Sequence, residues 1–320
     1  MSKMFTDLRR HALNGPTMGT CWSALVFAPA GCDPEPVRLA LQAAVDEVDT
    51  QMSSWKPGSD VTRLNVAPVG EWVAVPDRLR QVLAMGLQIG RASGGAFDIS
   101  MGDAVRAWGF GPEAAAPERI REAMRAGRML AHEVLEMDAG LVRKRAPLTL
   151  DLNGIAKGYG VDRLAETLVQ HGLPAGLVGI DGEMRALGSR PGGEPWTVAV
   201  EAPDPERRAP HSILALQDAA VATSGDYRHW VEVQGRLLSH TMDPARGAPL
   251  LAPPASVTVV HASCMQADAW ATALMVMGSL EGAAMARKQG LGALFIDRMG
   301  DGFRETRVGR LFENNPGDGT

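Results

Sequence analysis

The stretch Leu150-Asp-Leu-Asn-Gly-Ile-Ala-Lys-Gly-Tyr-Gly-Val-Asp162 joins an alternating apolar segment to one with helical spacing. Leucines alternate with Thr149 and Asp151, a pattern that predicts the end of a strand. From Ile155 onward apolar residues recur at helical intervals, so a helix is predicted to begin near Gly154. The sequence therefore predicts a glycine-bearing strand–turn–helix corner, where backbone groups can approach a ligand closely.

This corner carries groups suited to a phosphate-bearing ligand. The N-terminus of a helix attracts anions, and Lys157 adds a positive charge in the first helical turn. Asp151, at the strand end, is suited to hold a metal, a ribose or a base edge. The stretch has neither the GxxxxGK[ST] order of a Walker A loop nor the GxGxxG order of a Rossmann fingerprint. Taken alone, it is equally compatible with a plain corner whose lysine is only solvated.

Composition narrows the classes of protein. The 320 residues are 45% hydrophobic and 22% charged, values that are ordinary for a soluble globular protein. A formal net charge of -5 argues against a nucleic-acid binder, and no apolar run in the sequence approaches the length of a membrane span. The three cysteines are odd in number and widely spaced, so we expect neither a zinc motif nor a disulfide framework.

Hydrophobic periodicity predicts the remaining elements. Helices are expected at residues 35–52, 78–92, 265–277 and 280–289. Strands are expected at residues 17–27, 196–202, 219–224, 257–260 and 293–296, of which the last would be the final strand. Residues 134–142 and 148–152 are predicted to form a hairpin that leads into the central stretch. The whole pattern predicts a mixed α/β chain with helices packed on mainly antiparallel sheets.

Asp268 and Thr272 are four residues apart and share one helical face within an apolar run. Burying an ionised carboxylate costs roughly several kcal/mol of free energy unless the group is paired or bound to a metal. A carboxylate with hydroxyl or carbonyl oxygens suits a hard cation such as Mg²⁺ or Ca²⁺. The alternative is that Asp268 caps this helix and Thr272 bonds back to its own turn.

Residue type alone leaves two possible roles for each of two further residues. His240, at a strand end before Asp243-Pro244, is suited to act as a general base or to be a hydrogen-bonded structural histidine. Trp55, beside a Pro-Gly turn, is either a core residue, which its type favours, or a stacking platform. The chain has no GxSxG elbow, which argues against a Ser-His-Asp hydrolase.

Seven short stretches follow one another along the chain, and together they resemble the ApbE family, the FAD:protein FMN transferases. They are Met18-Gly-Thr, Ser53-Ser-Trp-Lys-Pro-Gly-Ser-Asp, Gly94-Gly-Ala-Phe-Asp-Ile-Ser, Asp151-Leu-Asn-Gly-Ile-Ala-Lys-Gly-Tyr-Gly-Val-Asp, Thr223-Ser-Gly-Asp-Tyr, Ser239-His-Thr-Met-Asp-Pro and Ala267-Asp-Ala-Trp-Ala-Thr. Each stretch is a weak signal by itself, but their combined order is specific and covers residues 17 to 296.

The resemblance implies an activity. Family members split FAD and transfer FMN, through its phosphate, to a threonine or serine hydroxyl of a target flavoprotein. AMP leaves, and a divalent cation, usually Mg²⁺, is required. The resemblance thus implies FAD as substrate, Mg²⁺ as cofactor and a flavoprotein as partner. The alternatives are an FAD pyrophosphatase that releases FMN and AMP to water, and a flavin-binding or flavin-delivery module without catalysis.

The resemblance also implies roles for individual residues. His240 matches the histidine that activates the acceptor hydroxyl. The metal ligands would be the side chains of Asp268 and Thr272 and the backbone carbonyl of Gly154. The FAD-contacting positions match Met18, Trp55, Ala96, Phe97, Asp98, Asp151, Lys157, Thr241 and Met242.

The chain departs from the family pattern in three places. Asn153 stands where the family has a glycine, and Gly154 where it often has an alanine. Ile180-Asp-Gly-Glu183 replaces a Gly-Gly-Asp stretch, which leaves Asp181 and Glu183 without assigned roles. The first ten residues show no lipoprotein signal, so the sequence as given favours a cytoplasmic location, and a periplasmic one stays open if the start is processed or engineered.

The family fold is described as T-fold-like, which implies an α+β architecture for this chain. The resemblance predicts a single domain over residues 17–312. An N-terminal extension would precede it at residues 1–16, and a loose tail would follow at residues 313–320.

Overall fold

An eight-stranded antiparallel sheet lies at the centre of the computed structural model, which describes residues 7–204, 207, 209–227, 230–233, 236–300 and 302–313. The strands are β1 (Leu8–Thr17), β2 (Thr20–Pro29), β3 (Val73–Ala74), β4 (Leu135–Asp138), β5 (Leu141–Lys144), β6 (Gly176–Ile180), β7 (Glu183–Leu187), β8 (Trp196–Glu201), β9 (Pro210–Leu216), β10 (Ala220–Gly225), β11 (Trp230–Val233), β12 (Arg236–Ser239), β13 (Met242–Asp243), β14 (Ala248–Pro249), β15 (Ser256–His261), β16 (Gly292–Met299) and β17 (Gly302–Val308). The helices are α1 (Glu35–Met52), α2 (Asp60–Val66), α3 (Asp77–Ala92), α4 (Gly102–Ala107), α5 (Pro117–Arg125), α6 (Ala131–Val134), α7 (Ala156–Gln170), α8 (Cys264–Gln289) and α9 (Arg310–Glu313).

The central sheet has the strand order β1-β2-β6-β7-β10-β15-β16-β17, and each neighbouring pair is antiparallel. In the β10–β15 pair, Thr223 lies opposite Thr258 and Ser224 lies opposite Val257. Because successive side chains of a strand point to opposite faces, Ser224 and Thr223 face opposite sides of the sheet.

Helices α1, α7 and α8 cover one face of this sheet. Leu41 of α1 and Leu164 of α7 are fully buried in one apolar cluster, and Leu274 of α8 packs with Val257 of β15 in another. By length and composition α8 passes as a membrane span, which no other helix among the described residues does. Half of its apolar window is buried inside the protein, so we interpret α8 as a core helix.

The opposite face is covered by the β8–β9 hairpin. Trp196 and Leu214 of this hairpin pack against Val221 and Ile296 of the central sheet. Both faces of the sheet are therefore covered, and its inner strands bury apolar residues on each side, Ala222 and Val257 on one face and Val221 and Ile296 on the other.

The structure confirms the predicted fold class and most of the long elements. Helix α1 has the predicted bounds, and α3 begins one residue earlier than expected. Within α8, Gly278 has φ 74° and ψ 174°, a non-helical conformation that separates the two helices expected in this region. The prediction that residues 293–296 form the final strand is wrong, because β17 follows and pairs with β16.

The N-terminal part of the sheet was only half predicted. The strand expected at residues 17–27 is β2, and β1 precedes it as its antiparallel partner. Met18 and Gly19, with φ of 46° and 74°, form the two-residue turn between them. Residues 8–16, which the sequence assigned to an extension, thus lie in an edge strand of the central sheet.

The predicted hairpin of residues 134–142 with 148–152 is wrong. The hairpin that forms pairs β4 with β5, and residues 148–152 belong to no strand beyond an isolated bridge between Met101 and Thr149. The Asn65 side chain instead accepts from Leu150 N at 2.7 Å and donates to Leu150 O at 2.9 Å. A side chain from α2 thus satisfies the backbone groups that a strand partner would have paired.

Candidate active site

The central corner differs in detail from the prediction. Residues 153–155 form a turn, and α7 begins at Ala156. Asp151 accepts hydrogen bonds from the Asn153 N–H at 3.0 Å and from the Asn153 side-chain amide at 3.1 Å. Burial raises the pKa of the Asp151 carboxyl. The asparagine that departs from the family pattern therefore holds the Asp151 carboxylate and tightens this turn.

Asp268 lies on α8 against the first turn of α7. Its side chain is buried, with the residue 5% exposed, and Oδ2 accepts the Gly158 N–H at 2.9 Å. A Cβ on Gly158 would lie 2.4 Å from the Cys264 carbonyl oxygen, so this close approach of α7 and α8 requires glycine. Burial and the negative charge of Glu183 raise the pKa of Asp268 to about 7, although Lys157 and the Gly158 N–H oppose this.

The predicted alternative for Asp268, a helix cap, is wrong. Ser263 is the N-cap residue of α8, and its side chain accepts from Gln266 N. Asp162, from the end of the central stretch, also accepts from the N–H groups of Cys264 and Met265 at 2.9 and 3.0 Å. Because Ser263 and Asp162 cap α8, Asp268 is not its cap, and it accepts the Gly158 N–H of α7 instead.

Lys157 lies among three carboxylates. Its Nζ is 2.9 Å from Glu183 Oε1 and 3.3 Å from Asp181 Oδ2. Burial opposes its charge, but Glu183, Asp268 and Asp181 outweigh burial and raise the pKa of Lys157. Glu183 is itself only 4% exposed. The β6–β7 turn, whose acidic residues the sequence could not assign, thus supplies the partners of Lys157.

The three predicted metal ligands lie close together. A Cβ on Gly154 would be 3.2 Å from Thr272 Oγ1 and 3.2 Å from Phe97 Cε2. Thr272 is one helical turn beyond Asp268, on the same face of α8. Among the described residues no group of three His, Cys, Asp or Glu side chains is placed to hold a metal. A cation here would therefore rely on one carboxylate and neutral oxygens.

The Gly94-Gly95 stretch leads into Phe97, whose ring lies beside the Gly154 turn. Gly94 and Gly95 have φ of 63° and 88°, and Ala96 and Phe97 follow them. Phe97 is buried in the core cluster that also contains Ile155 of the central turn. The Asp98 carboxylate accepts hydrogen bonds from Ser100 N, Ser100 Oγ and Ala131 N. Burial raises the pKa of Asp98, whose oxygens tie this loop to α6.

The histidine loop connects β12 to β13 and contacts α8. The ring centroid of His240 lies 6.5 Å from that of Phe110, in an edge arrangement. The Thr241 hydroxyl donates to Met275 Sδ at 3.7 Å, three residues beyond Thr272. Met242 is buried beside Trp108, whose indole N–H donates to the Gly247 carbonyl at 2.9 Å. The two residues that directly follow His240 are therefore held, one against α8 and the other beside Trp108.

Met18 and Trp55 have different surroundings. A Cβ on Gly160 of α7 would lie 3.2 Å from Met18 Cε, which places Met18 beside the central helix. Trp55 is 57% exposed, so the interpretation of this residue as part of the core is wrong. Its indole is available as a stacking surface, a role that its type alone did not favour.

Sequence reasoning missed the role of Asp162. Its Oδ1 is 2.6 Å from Arg185 Nη1, and its Oδ2 accepts the Ser263 hydroxyl at 2.7 Å. With its bonds to the start of α8, Asp162 fixes α7, β7 and α8 relative to one another. The available signal was an aspartate at an otherwise apolar position of an amphipathic helix.

Known proteins resemble this chain over nearly its full length. The ApbE family model matches residues 18–295. The FAD:protein FMN transferase of Vibrio cholerae is 37% identical over 298 residues, with 92% of this chain and 89% of the relative covered. The FAD:protein FMN transferase of Escherichia coli strain K12 is 32% identical over 301 residues, with 91% and 85% covered.

Solved structures agree with the sequence relatives. The flavin transferase ApbE from Vibrio cholerae superposes with a TM-score of 0.83 at 35% identity, covering 94% of this chain and 97% of that one. The apo form of the flavinyl transferase ApbE from Pseudomonas stutzeri superposes with a TM-score of 0.83 at 35% identity, covering 96% of each chain.

Proposed function

The chain belongs to the ApbE family, and we propose that it transfers FMN from FAD to a threonine or serine hydroxyl of a target flavoprotein, with Mg²⁺ as cofactor and AMP as leaving group. Relatives named FAD:protein FMN transferase identify the enzyme as a flavin transferase. The metal, the acceptor hydroxyl and the leaving group are the finer parts of the proposal.

The observation that carries the proposal is the set of oxygen donors around the buried Asp268. Its carboxylate lies on the same helical face as the Thr272 hydroxyl, which adjoins Gly154. Carboxylate, hydroxyl and carbonyl oxygens are the ligands that Mg²⁺ takes in proteins. When all three carboxylates are ionised, Asp268, Glu183 and Asp181 contribute three negative charges and Lys157 contributes one positive charge, which leaves two negative charges. One divalent cation would neutralise them, so these residues fit Mg²⁺.

The residues beside this site are suited to hold the pyrophosphate of FAD. The positive end of the α7 helix dipole and the Lys157 ammonium both favour negative charge. Mg²⁺, when bound, would neutralise charge on the pyrophosphate and on the departing AMP. Because phosphoryl-type transfer depends mainly on positioning and charge neutralisation, these groups supply most of what the reaction needs.

His240 is the proposed general base. The acceptor hydroxyl oxygen forms a bond to the FMN phosphorus, the pyrophosphate P–O bond breaks, and the bridging oxygen leaves with AMP. The proton of the acceptor hydroxyl passes to the His240 imidazole. The contacts of Thr241 and Met242 hold the loop that carries this imidazole, which supports a fixed position for the base.

The test is an incubation of the full chain with FAD, Mg²⁺ and a flavoprotein domain that carries a candidate acceptor threonine. The acceptor is followed by intact mass spectrometry and AMP by chromatography. We expect an esterified FMN on the acceptor and AMP in equal amount. His240→Ala should lose both, while His171→Ala, which changes an exposed histidine at the end of α7, should retain both.

Other outcomes would contradict the proposal. AMP without an adduct, at a rate that does not depend on the acceptor, would indicate an FAD pyrophosphatase. Bound FAD with neither AMP nor adduct, for each acceptor tried, would indicate a flavin-binding module.

A further inference from the structure

Ser224 of β10 contacts one of the proposed metal ligands. Its Oγ is 3.2 Å from Thr272 Oγ1. Ser224 belongs to the Thr223-Ser-Gly-Asp-Tyr stretch, to which the proposed reaction gives no role. The Thr272 hydroxyl is therefore close both to the Gly154 turn and to Ser224.

The sheet explains why Ser224 points at α8. Ala222 and Val257 belong to the core cluster between the sheet and α8. Ser224 is two residues from Ala222 and opposite Val257, so it shares that face. Thr223 points to the other side, where its hydroxyl pairs with that of Thr258 at 2.8 Å. The adjacent hydroxyls of Thr223 and Ser224 thus lie on opposite faces of the sheet.

The chemistry of a hydroxyl ligand calls for such a partner. A threonine hydroxyl has one proton and two lone pairs. When a lone pair binds a cation, the proton must point away from it, and it is best satisfied by an acceptor. Hydrogen bonds from outside the ligand set commonly orient metal ligands in this way.

We propose that Ser224 is a positioning residue for the cation site: its Oγ accepts the proton of the Thr272 hydroxyl and directs a Thr272 lone pair toward the cation. The proposal rests on the proposed function, because it takes Thr272 as a ligand. Without Ser224 the Thr272 hydroxyl would be free to rotate, and its proton would spend time facing the cation.

The test measures Mn²⁺ binding, because Mn²⁺ takes the same oxygen ligands as Mg²⁺ and is visible by electron paramagnetic resonance. Mn²⁺ is titrated into the full chain saturated with FAD, without acceptor. We expect Ser224→Ala to weaken Mn²⁺ binding about 10-fold or more. Ser224→Thr, which keeps a hydroxyl, should recover most of the loss. Thr223→Val, which removes the neighbouring hydroxyl from the other face, should bind like wild type.

Thermal unfolding of each variant establishes that it is folded before its affinity is compared. The outcomes separate this inference from the proposed function. If Asp268→Ala abolishes Mn²⁺ binding while Ser224→Ala and Thr223→Val both bind like wild type, the role of Ser224 is overturned and the cation site stands. If wild type itself binds no Mn²⁺, or binds it as tightly as Asp268→Ala does, the proposed cation site fails, and the role of Ser224 fails with it.

Discussion

The Gly158 N–H donates a 2.9 Å hydrogen bond to Asp268 Oδ2 and so joins the first turn of α7 to α8. Helix α7 thus supplies a backbone donor from its first turn, and α8 supplies the buried carboxylate that accepts from it. The bond stabilises the ionised form of Asp268, but burial and the charge of Glu183 outweigh it. The metal-free site therefore holds a carboxylate whose charge is costly, which a bound cation would offset.

Stability of the metal-free protein should depend on pH through Asp268. Its pKa is raised from 3.8 to about 7 in the folded state. The contribution of this group is fully present below the unfolded value and is lost as pH rises through about 7. At about 1.4 kcal/mol per unit, the upper limit of the loss is about 4 kcal/mol. Urea unfolding in EDTA across this range should show the decline.

Asp268→Asn is the matched control, because it keeps the shape of the side chain and removes its titration. We expect the variant to lose stability less steeply between about pH 4 and about pH 7. Parallel stability curves for the two proteins would show that Asp268 ionises normally.

Asp162→Ala should destabilise the fold. The substitution removes the partner of Arg185 and the three hydrogen bonds that Asp162 accepts from residues 263–265 at the start of α8. Breaking one side of a buried ion pair costs about 3–5 kcal/mol, since the other charge is left without its partner. The free energy of unfolding, from urea denaturation at pH 7, gives the measurement.

The exposed pair of Asp77 and Arg80, 3.2 Å apart on α3, supplies the comparison. Arg80→Ala should cost less than about 1 kcal/mol. A similar small loss for Asp162→Ala would mean that the network around α8 does not hold the helices together.

Asn65→Ala should loosen the segment before the central turn. Leu150 N–H and C=O would both lose their partner, at about 1–3 kcal/mol for each buried group left unsatisfied. We expect two results: the free energy of unfolding falls, and hydrogen exchange at the Leu150 amide accelerates. Asn153→Ala, which removes only the side-chain bond to Asp151, should leave the Leu150 amide protected. Unchanged exchange in Asn65→Ala would contradict this assignment.

Trp55→Ala should weaken FAD binding without changing stability. The side chain is mostly exposed, so its removal forfeits little packing, whereas stacking on an aromatic ring contributes about 1–3 kcal/mol for a nucleic-acid base. FAD affinity measured by fluorescence should fall about 5-fold or more. Trp72→Ala removes another exposed indole, which stacks with Arg143, and should leave FAD affinity unchanged. Equal FAD affinity in both variants would remove Trp55 from the flavin site.

Local patterns predicted what lies within one element. Helical spacing was enough to place Asp268 and Thr272 on one face of α8, and the bounds of α1 followed from its apolar residues. The contacts that hold the site were not predictable, because they join residues far apart in sequence. Asn65 binds a backbone 85 positions away, and Asp162 binds a helix start about a hundred positions away.

The mistaken hairpin at residues 148–152 has the same origin. Alternating leucines predict an extended segment, but they do not indicate whether its hydrogen-bond partner is a strand or a side chain. Trp55 was misjudged because residue type records average burial and not the surroundings of one turn. The resemblance to a family, carried by motif order, supplied the predicted site residues that local patterns left open.

The most direct test of the central claim is the Mg²⁺ dependence of FMN transfer in wild type and Asp268→Asn. Both proteins are stripped with EDTA, and the initial rate of adduct formation on the acceptor is followed by intact mass as Mg²⁺ is added back. We expect wild type to be inactive without metal and to recover with saturation, and Asp268→Asn to stay at least about 100-fold slower at every concentration. Transfer by wild type in EDTA, or equal Mg²⁺ curves for the two proteins, would contradict the account.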